Sequence, residues 1–159
     1  MVDYDVNLIG DVARGRVYQG ASPNEGIVTF QTPGRMLMLV EMAAGVDALK
    51  WVRQGNLRSV LYFGIDDNEQ SALDDPTLEA LALSCRAWLR GGGDIIFGCA
   101  AGISRSSYAD CATLMTTLGL KFDDALAMIR KGRKQANPNP GFVAHLRHME
   151  PRFLDLAMT

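Results

Sequence analysis

The segment from 94 to 107, DIIFGCAAGISRSS, places the tightest constraint on what this chain can fold into. Its apolar run at 95–97 predicts a buried strand, because it is rich in β-forming residues and too short for a helix. A loop of small residues around Gly102 follows, and a segment with helical apolar spacing begins at Arg105. In such a strand–loop–helix turn, backbone N–H groups and the positive helix N-terminus converge on one concavity that suits a tetrahedral oxyanion. The segment therefore predicts a phosphate-binding loop.

Cys99 and Arg105, with five residues between them, supply the side chains that such a loop can use for chemistry. The positive field of the loop favours the thiolate of a cysteine, which is its nucleophilic form. The planar guanidinium of Arg105 matches two oxygens of a phosphate group. A lone buried cysteine is more often a packing residue, but the strand, the glycine and the helix around Cys99 favour chemistry. We therefore predict that Cys99 is a nucleophile and that Arg105 binds phosphate.

The acidic loop at 64–75 offers the proton donor that this chemistry requires. A thiolate that attacks a phosphate monoester expels an oxygen, and a general acid must protonate that oxygen from the other side of the phosphate. Asp66 and Asp67 stand directly after the strand predicted at 57–63, which is a natural place for such an acid. The other acidic residues of the loop are expected to be solvated: Glu69, Asp74 and Asp75.

Three serines flank Arg105. A hydroxyl beside the cysteine sulfur can stabilise the thiolate as it leaves the phosphoenzyme, and Ser106 is predicted for this role. Ser104 and Ser107 are predicted to cap the following helix or to bind backbone groups of the loop.

The rest of the pattern predicts an α/β domain with a small sheet flanked by helices and a helical C-terminal half. Two further strands are predicted, at 16–18 and at 57–63, the second of them central in the sheet. Five helices are predicted: 36–51, a helix with Asp75 as N-cap and Pro76 at its first position, 105–118 ended by Gly119, about 122–130, and about 142–156. Proline and glycine predict irregular structure at 23–35 and 137–141.

The composition argues against several classes of protein. A length of 159 residues, 48% of them apolar and 21% charged, predicts one globular domain over 1–159. No apolar run approaches the roughly 18 residues of a membrane span, and the acidic N-terminus does not fit a secretory signal peptide. A net charge of −2 disfavours a nucleic-acid partner. Since a reactive thiol is kept reduced in the cytoplasm, a cytoplasmic location is predicted.

Neither the cysteines nor the histidines predict a metal site. The three cysteines lack Cys-x-x-Cys spacing, and Cys85 lies on the apolar stripe of a predicted helix, which favours inert packing. His145 and His148 lie three residues apart without a third ligand, so surface or capping roles are favoured. Four late basic residues predict a solvated helix end, with a rim that attracts an anionic substrate as the alternative: Arg130, Lys131, Arg133 and Lys134.

The sequence CAAGISRS at 99–106 resembles the signature loop of the cysteine-dependent dual-specificity protein phosphatases, within the protein tyrosine phosphatase superfamily. The resemblance covers most of 16–150 and is weakest across 21–56. Further matching segments are RVYQG at 16–20, IDD at 65–67, the helix pair around 118–126, and NPNPGF at 137–142. It implies an α/β phosphatase fold with a small mixed central sheet flanked by helices.

The resemblance also assigns roles to residues. Cys99 would be the nucleophile, Arg105 the phosphate fork and Ser106 the residue that stabilises the leaving thiolate. Asp67 rather than Asp66 would be the general acid, because its offset from Cys99 fits the family better. The phosphate would lie in a cradle of backbone amides from Ala100, Ala101, Gly102, Ile103, Ser104 and Arg105. The implied substrates are proteins phosphorylated on tyrosine, serine or threonine, with neither a metal nor another cofactor.

Gly98 departs from the family pattern, which usually has histidine before the nucleophile. Without that histidine, we expect Cys99 to ionise at higher pH and the activity optimum to shift upward, and Gly98→His to reverse this. The uncharged loop side chains at Ala100, Ala101 and Ile103 disfavour a phosphoinositide substrate. Two alternatives stay open: a catalytically weak module that binds phosphorylated partners, and a phosphatase of a non-protein substrate such as an RNA 5′-phosphate or an inositol phosphate.

Overall fold

A five-stranded sheet organises the part of the chain that the computed structural model describes, which is residues 5–22, 35–45 and 57–159. Its strands are β1 (Val6–Val12), β2 (Gly15–Ala21), β3 (Leu37–Ala43), β4 (Leu57–Ile65) and β5 (Asp94–Cys99). The helices are α1 (Asp75–Arg90), α2 (Arg105–Leu118), α3 (Phe122–Gly132) and α4 (Pro140–Ala157).

The strand order, β1-β2-β5-β3-β4, places β5 in the middle of the sheet. β5 runs parallel to both of its neighbours, β2 and β3, whereas β1 pairs antiparallel with β2. The sheet is therefore mixed, and the predicted α/β fold class is confirmed. Because β5 is flanked by two parallel strands, the loop after its carboxyl end emerges at the centre of the sheet edge, where ligands bind in open α/β folds.

The main hydrophobic core lies between one face of the sheet and the four helices. α2 lies at its centre: residues 106–116 are all buried, and α2 packs against α1, α3 and α4. A smaller cluster covers the other face of the sheet, formed by Tyr18, Leu37, Leu39 and Ile96. Burying α2 on all sides holds the start of this helix, and with it the loop that precedes it, in a fixed position.

The prediction of a helix at 36–51 is wrong for its first part, because residues 37–43 form β3. All seven residues of β3 are buried, since the strand has neighbours on both sides and packing on both faces. A short continuous apolar run of this kind does not distinguish a doubly buried strand from a helix. The remainder, 46–51, lies outside the described residues, as does most of the irregular segment at 23–35.

The strand predicted at 57–63 exists but is not central, because β4 forms the edge of the sheet. Its residues alternate between partly buried and more exposed along the strand, as expected for an edge strand with one packed face. The strand predicted at 16–18 is longer, and β1, for which the sequence carried no clear signal, pairs with it as Val6–Val12.

The helix boundaries agree closely with their sequence signals. Gly119 ends α2 in the left-handed conformation, with φ +68°, which suits glycine. The N-cap of α1 is Asp74 rather than Asp75, because the Asp74 carboxylate accepts the amide of Thr77. α4 begins at Pro140, two residues before the predicted start, with Asn139 as its N-cap. None of the helices in the described ranges is long and apolar enough to cross a membrane.

Asp110 is an unusual core residue, since its carboxyl group is fully buried in α2 and neither oxygen has a hydrogen-bond partner among the described residues. Burial raises the pKa of Asp110 well above its ordinary value. The folded protein therefore holds this proton more tightly than the unfolded chain, whose Asp pKa is about 4. By proton linkage, the free energy of unfolding falls as the pH rises above the Asp pKa of the unfolded chain. It stops falling once the pH passes the pKa of Asp110 in the folded protein.

We therefore expect Asp110→Ala to be more stable than the wild type at pH 8, by about 1–3 kcal/mol, because no polar group is left unpaired. The difference should shrink as the pH falls towards 5, because the raised pKa favours the neutral carboxyl at lower pH. Asp110→Asn is the matched control: it should flatten the pH dependence but recover less stability, since its amide stays buried. Urea unfolding midpoints at both pH values measure these effects, and a wild-type pH dependence in Asp110→Ala would contradict the account.

Candidate active site

The candidate site lies where β5 ends and α2 begins. Cys99 is the last residue of β5, residues 100–104 form the loop, and Arg105 is the first residue of α2. Gly102 has φ +63°, and a Cβ there would lie 2.4 Å from the backbone carbon of Gly20. Both the left-handed conformation and the close contact with β2 require glycine at this position.

Most carbonyl groups of the loop accept hydrogen bonds from protein donors. The Cys99 carbonyl accepts the amides of Ser22 (2.7 Å) and Gly102 (3.2 Å). The Ile103 carbonyl accepts the amide of Asn137 (2.9 Å) and the Ser107 hydroxyl (2.5 Å). Ser107 thus binds a backbone group of the loop, as one of its two predicted roles required.

Five loop amides are left available to an incoming acceptor. A planar trans peptide directs the N–H of one residue opposite to the carbonyl of the residue before it, so bound carbonyls orient the amides that follow them. Within the described parts of the chain, no acceptor binds the amides of Ala100, Ala101, Ile103, Ser104 and Arg105. With the N-terminus of α2 beside them, these N–H groups form a concave donor surface suited to an oxyanion.

Arg133 stabilises this loop by binding its carbonyl groups. Its Nε donates to the Gly102 carbonyl (2.7 Å) and its Nη2 to the Ala101 carbonyl (3.1 Å). The same guanidinium forms an ion pair with Asp5 at 2.9 Å and also donates to Asn7. Arg133 is only 1% exposed, so its assignment to a solvated helix end is wrong. The residue lies just after α3, where tertiary contacts with the loop and the start of β1 enclose it.

The Cys99 thiol lies at the floor of the loop and is 2% exposed. Its Sγ is 3.2 Å from the hydroxyl Oγ of Ser106, which is fully buried in the first turn of α2. A buried hydroxyl at this distance can donate a hydrogen bond to a thiolate. The structure therefore brings Ser106 to the sulfur atom on which its predicted role depends.

The Arg105 side chain uses only some of its N–H groups in hydrogen bonds to the described residues. Its Nη1 donates to the carbonyl of Ile65, the last residue of β4, at 3.0 Å. Its Nε is buried and has no partner within the described residues. Because an unpaired buried donor is costly, this N–H group is suited to an incoming acceptor such as a phosphate oxygen.

Asp67 is held against the loop, and Asp66 shares none of the contacts that hold it. The Asp67 Oδ1 atom accepts hydrogen bonds from Ser104 Oγ (2.7 Å) and from Asn139 Nδ2 (2.9 Å). Ser104 Oγ in turn accepts the amide of Asn139 (2.9 Å) and makes no capping bond to α2. The carboxyl thus lies beside the loop, while its Oδ2 atom is left free of these bonds.

The other two cysteines lack the environment of Cys99. Both are fully buried in the helical core. Burial raises the pKa of Cys85 to about 12 and also raises that of Cys111. Both thiols are therefore protonated at neutral pH and are poor nucleophiles, as expected for packing residues.

His145 and His148 bind one carboxylate and stabilise the packing of α4. Their Nε2 atoms lie 2.7 and 3.0 Å from the two oxygens of Asp75 at the start of α1. The Nδ1 atom of His145 also bonds the hydroxyl of Tyr108 on α2, at 2.5 Å. Within the described ranges, no group of three or more histidine, cysteine or acidic residues is arranged to hold a metal ion.

Sequence reasoning missed several residues that support the site, among them Arg133, Asn139, Ser22 and Gln19. Gln19 donates from β2 to the Gly102 carbonyl and to Ser107. Only Asn139 carried a local signal, since an asparagine before proline at a helix start is a typical N-cap. The others are distant in sequence and meet the loop only through the fold.

Comparison with known proteins identifies the family to which this sequence is similar. The family model "Dual specificity phosphatase, catalytic domain" matches residues 18–152. Dual specificity protein phosphatase 1B of Arabidopsis thaliana is 39% identical over 62 residues, and the serine/threonine/tyrosine-interacting protein of Mus musculus is 41% identical over 66 residues. These matches cover 39% and 42% of this chain and only 37% and 30% of the relatives, so the chain aligns with about a third of their length.

The fold has a close counterpart among solved structures. A mouse protein assigned as a dual specificity phosphatase, crystallised with zinc tungstate, superposes with a TM-score of 0.74. The match covers 99% of this chain and 93% of the mouse chain, at 22% sequence identity. At this identity, the similarity shows a shared fold.

Proposed function

This chain belongs to the dual specificity phosphatase family, and we propose that it hydrolyses phosphate monoesters on phosphorylated proteins through a phosphocysteine intermediate. One observation carries the proposal above all. The Cys99 thiol ends the strand that leads into a loop with five amides, and beside it lies the buried Nε of Arg105; none of these N–H groups has an acceptor within the described residues. This arrangement supports both the binding of a phosphate group and an attack on it by sulfur.

In the first step, Cys99 attacks the phosphorus atom as a thiolate. A sulfur–phosphorus bond forms, the ester phosphorus–oxygen bond breaks, and the leaving oxygen takes a proton from Asp67. Both hydrogen bonds to Asp67 end on Oδ1, which leaves Oδ2 to carry the transferred proton. The loop amides and Arg105 stabilise the charge on the equatorial phosphate oxygens, as in other phosphoryl transfers.

In the second step, water hydrolyses the phosphocysteine. Asp67, now a carboxylate, takes a proton from water as the oxygen attacks phosphorus, and the sulfur–phosphorus bond breaks. The thiolate of Cys99 leaves, stabilised by a hydrogen bond from Ser106, and inorganic phosphate is released. The 3.2 Å separation between the sulfur and the Ser106 hydroxyl supports this role.

We assign phosphotyrosine and phosphoserine or phosphothreonine in proteins as the substrate class. The exposed loop side chains of Ala100 and Ala101 are small and uncharged, so the loop itself offers no cations for a polyphosphorylated ligand. A second candidate is a module that binds phosphorylated partners with little turnover, which the name of the matched mouse interacting protein favours.

Turnover of p-nitrophenyl phosphate separates the two candidates. A phosphatase should hydrolyse it steadily, be inhibited by vanadate, and show a phosphorylated Cys99 peptide by mass spectrometry after rapid acid quenching. Phosphopeptides carrying phosphotyrosine, phosphoserine or phosphothreonine then test the substrate class. Tight phosphopeptide binding without release of phosphate would refute the enzymatic proposal and leave the binding module.

A further inference from the structure

Glu41 is a fully buried carboxylate on β3, on the face of the sheet opposite the helical core. Its Oε2 accepts a hydrogen bond from the Ser22 hydroxyl at 2.7 Å, and its Oε1 accepts the amide of Ala43 at 3.0 Å. Burial raises the pKa of Glu41, while Ser22, the Ala43 amide and the charge of Arg105 act in the opposite direction. A buried carboxyl is costly to maintain, and the mechanism above does not use it.

Ser22 connects Glu41 to the nucleophile. The Ser22 backbone amide donates to the carbonyl of Cys99 at 2.7 Å, while its side chain donates to Glu41. The Cys99 carbonyl belongs to the peptide whose N–H is that of Ala100, the first loop amide without an acceptor among the described residues. Because this peptide is planar, holding the carbonyl against Ser22 directs the Ala100 amide towards the opposite side, where the phosphate would lie.

Gly98 makes room for this arrangement. Gly98 pairs with Glu41 in the register of β5 and β3. A side chain at position 98 would therefore project from the same face of the sheet as the side chain of Glu41. A Cβ at position 98 would lie 3.4 Å from Glu41 Oε2, 3.7 Å from Leu39 and 3.8 Å from the Ser22 hydroxyl. A methyl group fits there, but a larger side chain would meet the Glu41 carboxylate.

We propose that Glu41 is a positioning residue for the nucleophile: through Ser22 it fixes the peptide that links Cys99 to the phosphate-binding amides. The inference rests on the proposed phosphatase function, since it concerns how Cys99 is prepared for attack. Glu41 lies on the face of the sheet opposite the helical core, and its link to the Cys99 peptide runs through Ser22. The charges of Glu41 and Arg105 also interact, and Glu41→Gln removes that charge while it keeps the link. The Glu41 side chain occupies the space beside position 98, where the family resemblance implies a histidine side chain.

The test compares Glu41→Ala, Ser22→Ala, their double variant and Glu41→Gln. Two quantities are measured: kcat and KM for p-nitrophenyl phosphate, and the pH profile of iodoacetamide alkylation at Cys99, followed by mass spectrometry. Alkylation needs no turnover, so it reports on the positioning of Cys99 even if the wild type proves to lack phosphatase activity. Leu37→Ala is the matched control, because it removes a buried side chain from the same face of β3 at the far end of β5.

We expect Glu41→Ala and Ser22→Ala each to lower kcat by about 10- to 100-fold, the loss that follows a small misplacement of reacting groups. Their alkylation midpoints should move to higher pH, because the Ala100 amide no longer supports the thiolate. The double variant should lose no more than either single variant, since both changes break one connection. Glu41→Gln keeps an oxygen that accepts the Ala43 amide and an NH2 group that can donate to the Ser22 hydroxyl, so it should stay within about threefold of the wild type. Leu37→Ala should lower the melting temperature without moving the alkylation profile.

Wild-type kcat and alkylation in Glu41→Ala would overturn the proposal, and so would losses in the two single variants that add up in the double variant. An equal loss in Glu41→Gln and Glu41→Ala would overturn it as well. If Glu41→Ala fails to fold, Ser22→Ala and Glu41→Gln still test the positioning role of Glu41, because both substitutions nearly retain the volume of the original side chain. Gly98→His alone is not a clean test of the missing histidine, since it displaces Glu41. Gly98→Ala, by contrast, should keep wild-type kcat.

Discussion

Replacing Cys99 with serine should lower kcat for p-nitrophenyl phosphate by a factor on the order of 10⁶, the loss found when a hydrolase loses its nucleophile. A serine hydroxyl stays protonated at neutral pH, so no thiolate is available to attack phosphorus. The loop amides and Arg105 are unchanged, and serine has nearly the same shape. Phosphopeptide binding should therefore persist while turnover disappears, which would make Cys99→Ser a substrate trap.

Cys111→Ser is the control for this prediction. Cys111 is another fully buried thiol, placed on α2 behind the loop, and it is assigned no role in the reaction. Its replacement should lower stability slightly and leave kcat within about threefold of the wild type, since a polar group enters the core without altering the loop. Steady-state kinetics and phosphopeptide binding measured on both variants decide the matter. Substantial turnover by Cys99→Ser would exclude the phosphocysteine mechanism.

Replacing Arg105 with lysine should lower kcat/KM by about 10²- to 10³-fold, the loss that follows removal of a group that stabilises transition-state charge. Lysine keeps the positive charge but lacks the planar fork that binds two phosphate oxygens together. The hydrogen bond from Arg105 to the Ile65 carbonyl would also be lost, and with it a link between the nucleophile loop and the end of β4. The effect should therefore appear in kcat as well as in KM.

Arg147→Lys applies the same substitution to a surface arginine. Arg147 forms a two-pronged pair with Asp123 and is 54% exposed, so its replacement should leave kcat/KM within about twofold, as for most surface pairs. Vanadate inhibition offers a second readout, because the Arg105 variant should bind this oxyanion more weakly. An Arg105→Lys enzyme with wild-type kcat/KM would show that the Nε of Arg105 does not bind the reacting phosphate.

Local signals predicted those parts of the fold whose structure depends on near neighbours in sequence. The strand before Cys99, helix α2 with Gly119 at its end, and helix α3 could all be read from periodicity and caps. β3 could not, because an apolar run buried on both faces carries no periodicity that separates strand from helix. The position of β4 at the edge of the sheet also could not be predicted from the sequence, since strand order depends on pairing between distant segments.

The same division holds within the candidate site. Cys99, Arg105, Ser106 and the loop glycine lie within one short segment, so their spacing alone predicts a phosphate-binding turn. Asp67 could be predicted only as one of two adjacent aspartates. Its contacts with Ser104 and Asn139 separate it from Asp66, because three distant segments meet there.

The amino-acid sequence by itself determined the strand–loop–helix turn that carries Cys99 and Arg105, since such a turn is set by neighbouring residues. The tertiary structure alone decided how that loop is held. Arg133 was assigned from its charge to a solvated helix end, yet it lies buried behind the Ala101 and Gly102 carbonyls. Glu41, within a predicted helix, lies on a strand beside Gly98 and reaches Cys99 through Ser22. The physical reason is that side chains far apart in sequence meet only after the sheet and helices have packed, and no local pattern encodes those meetings.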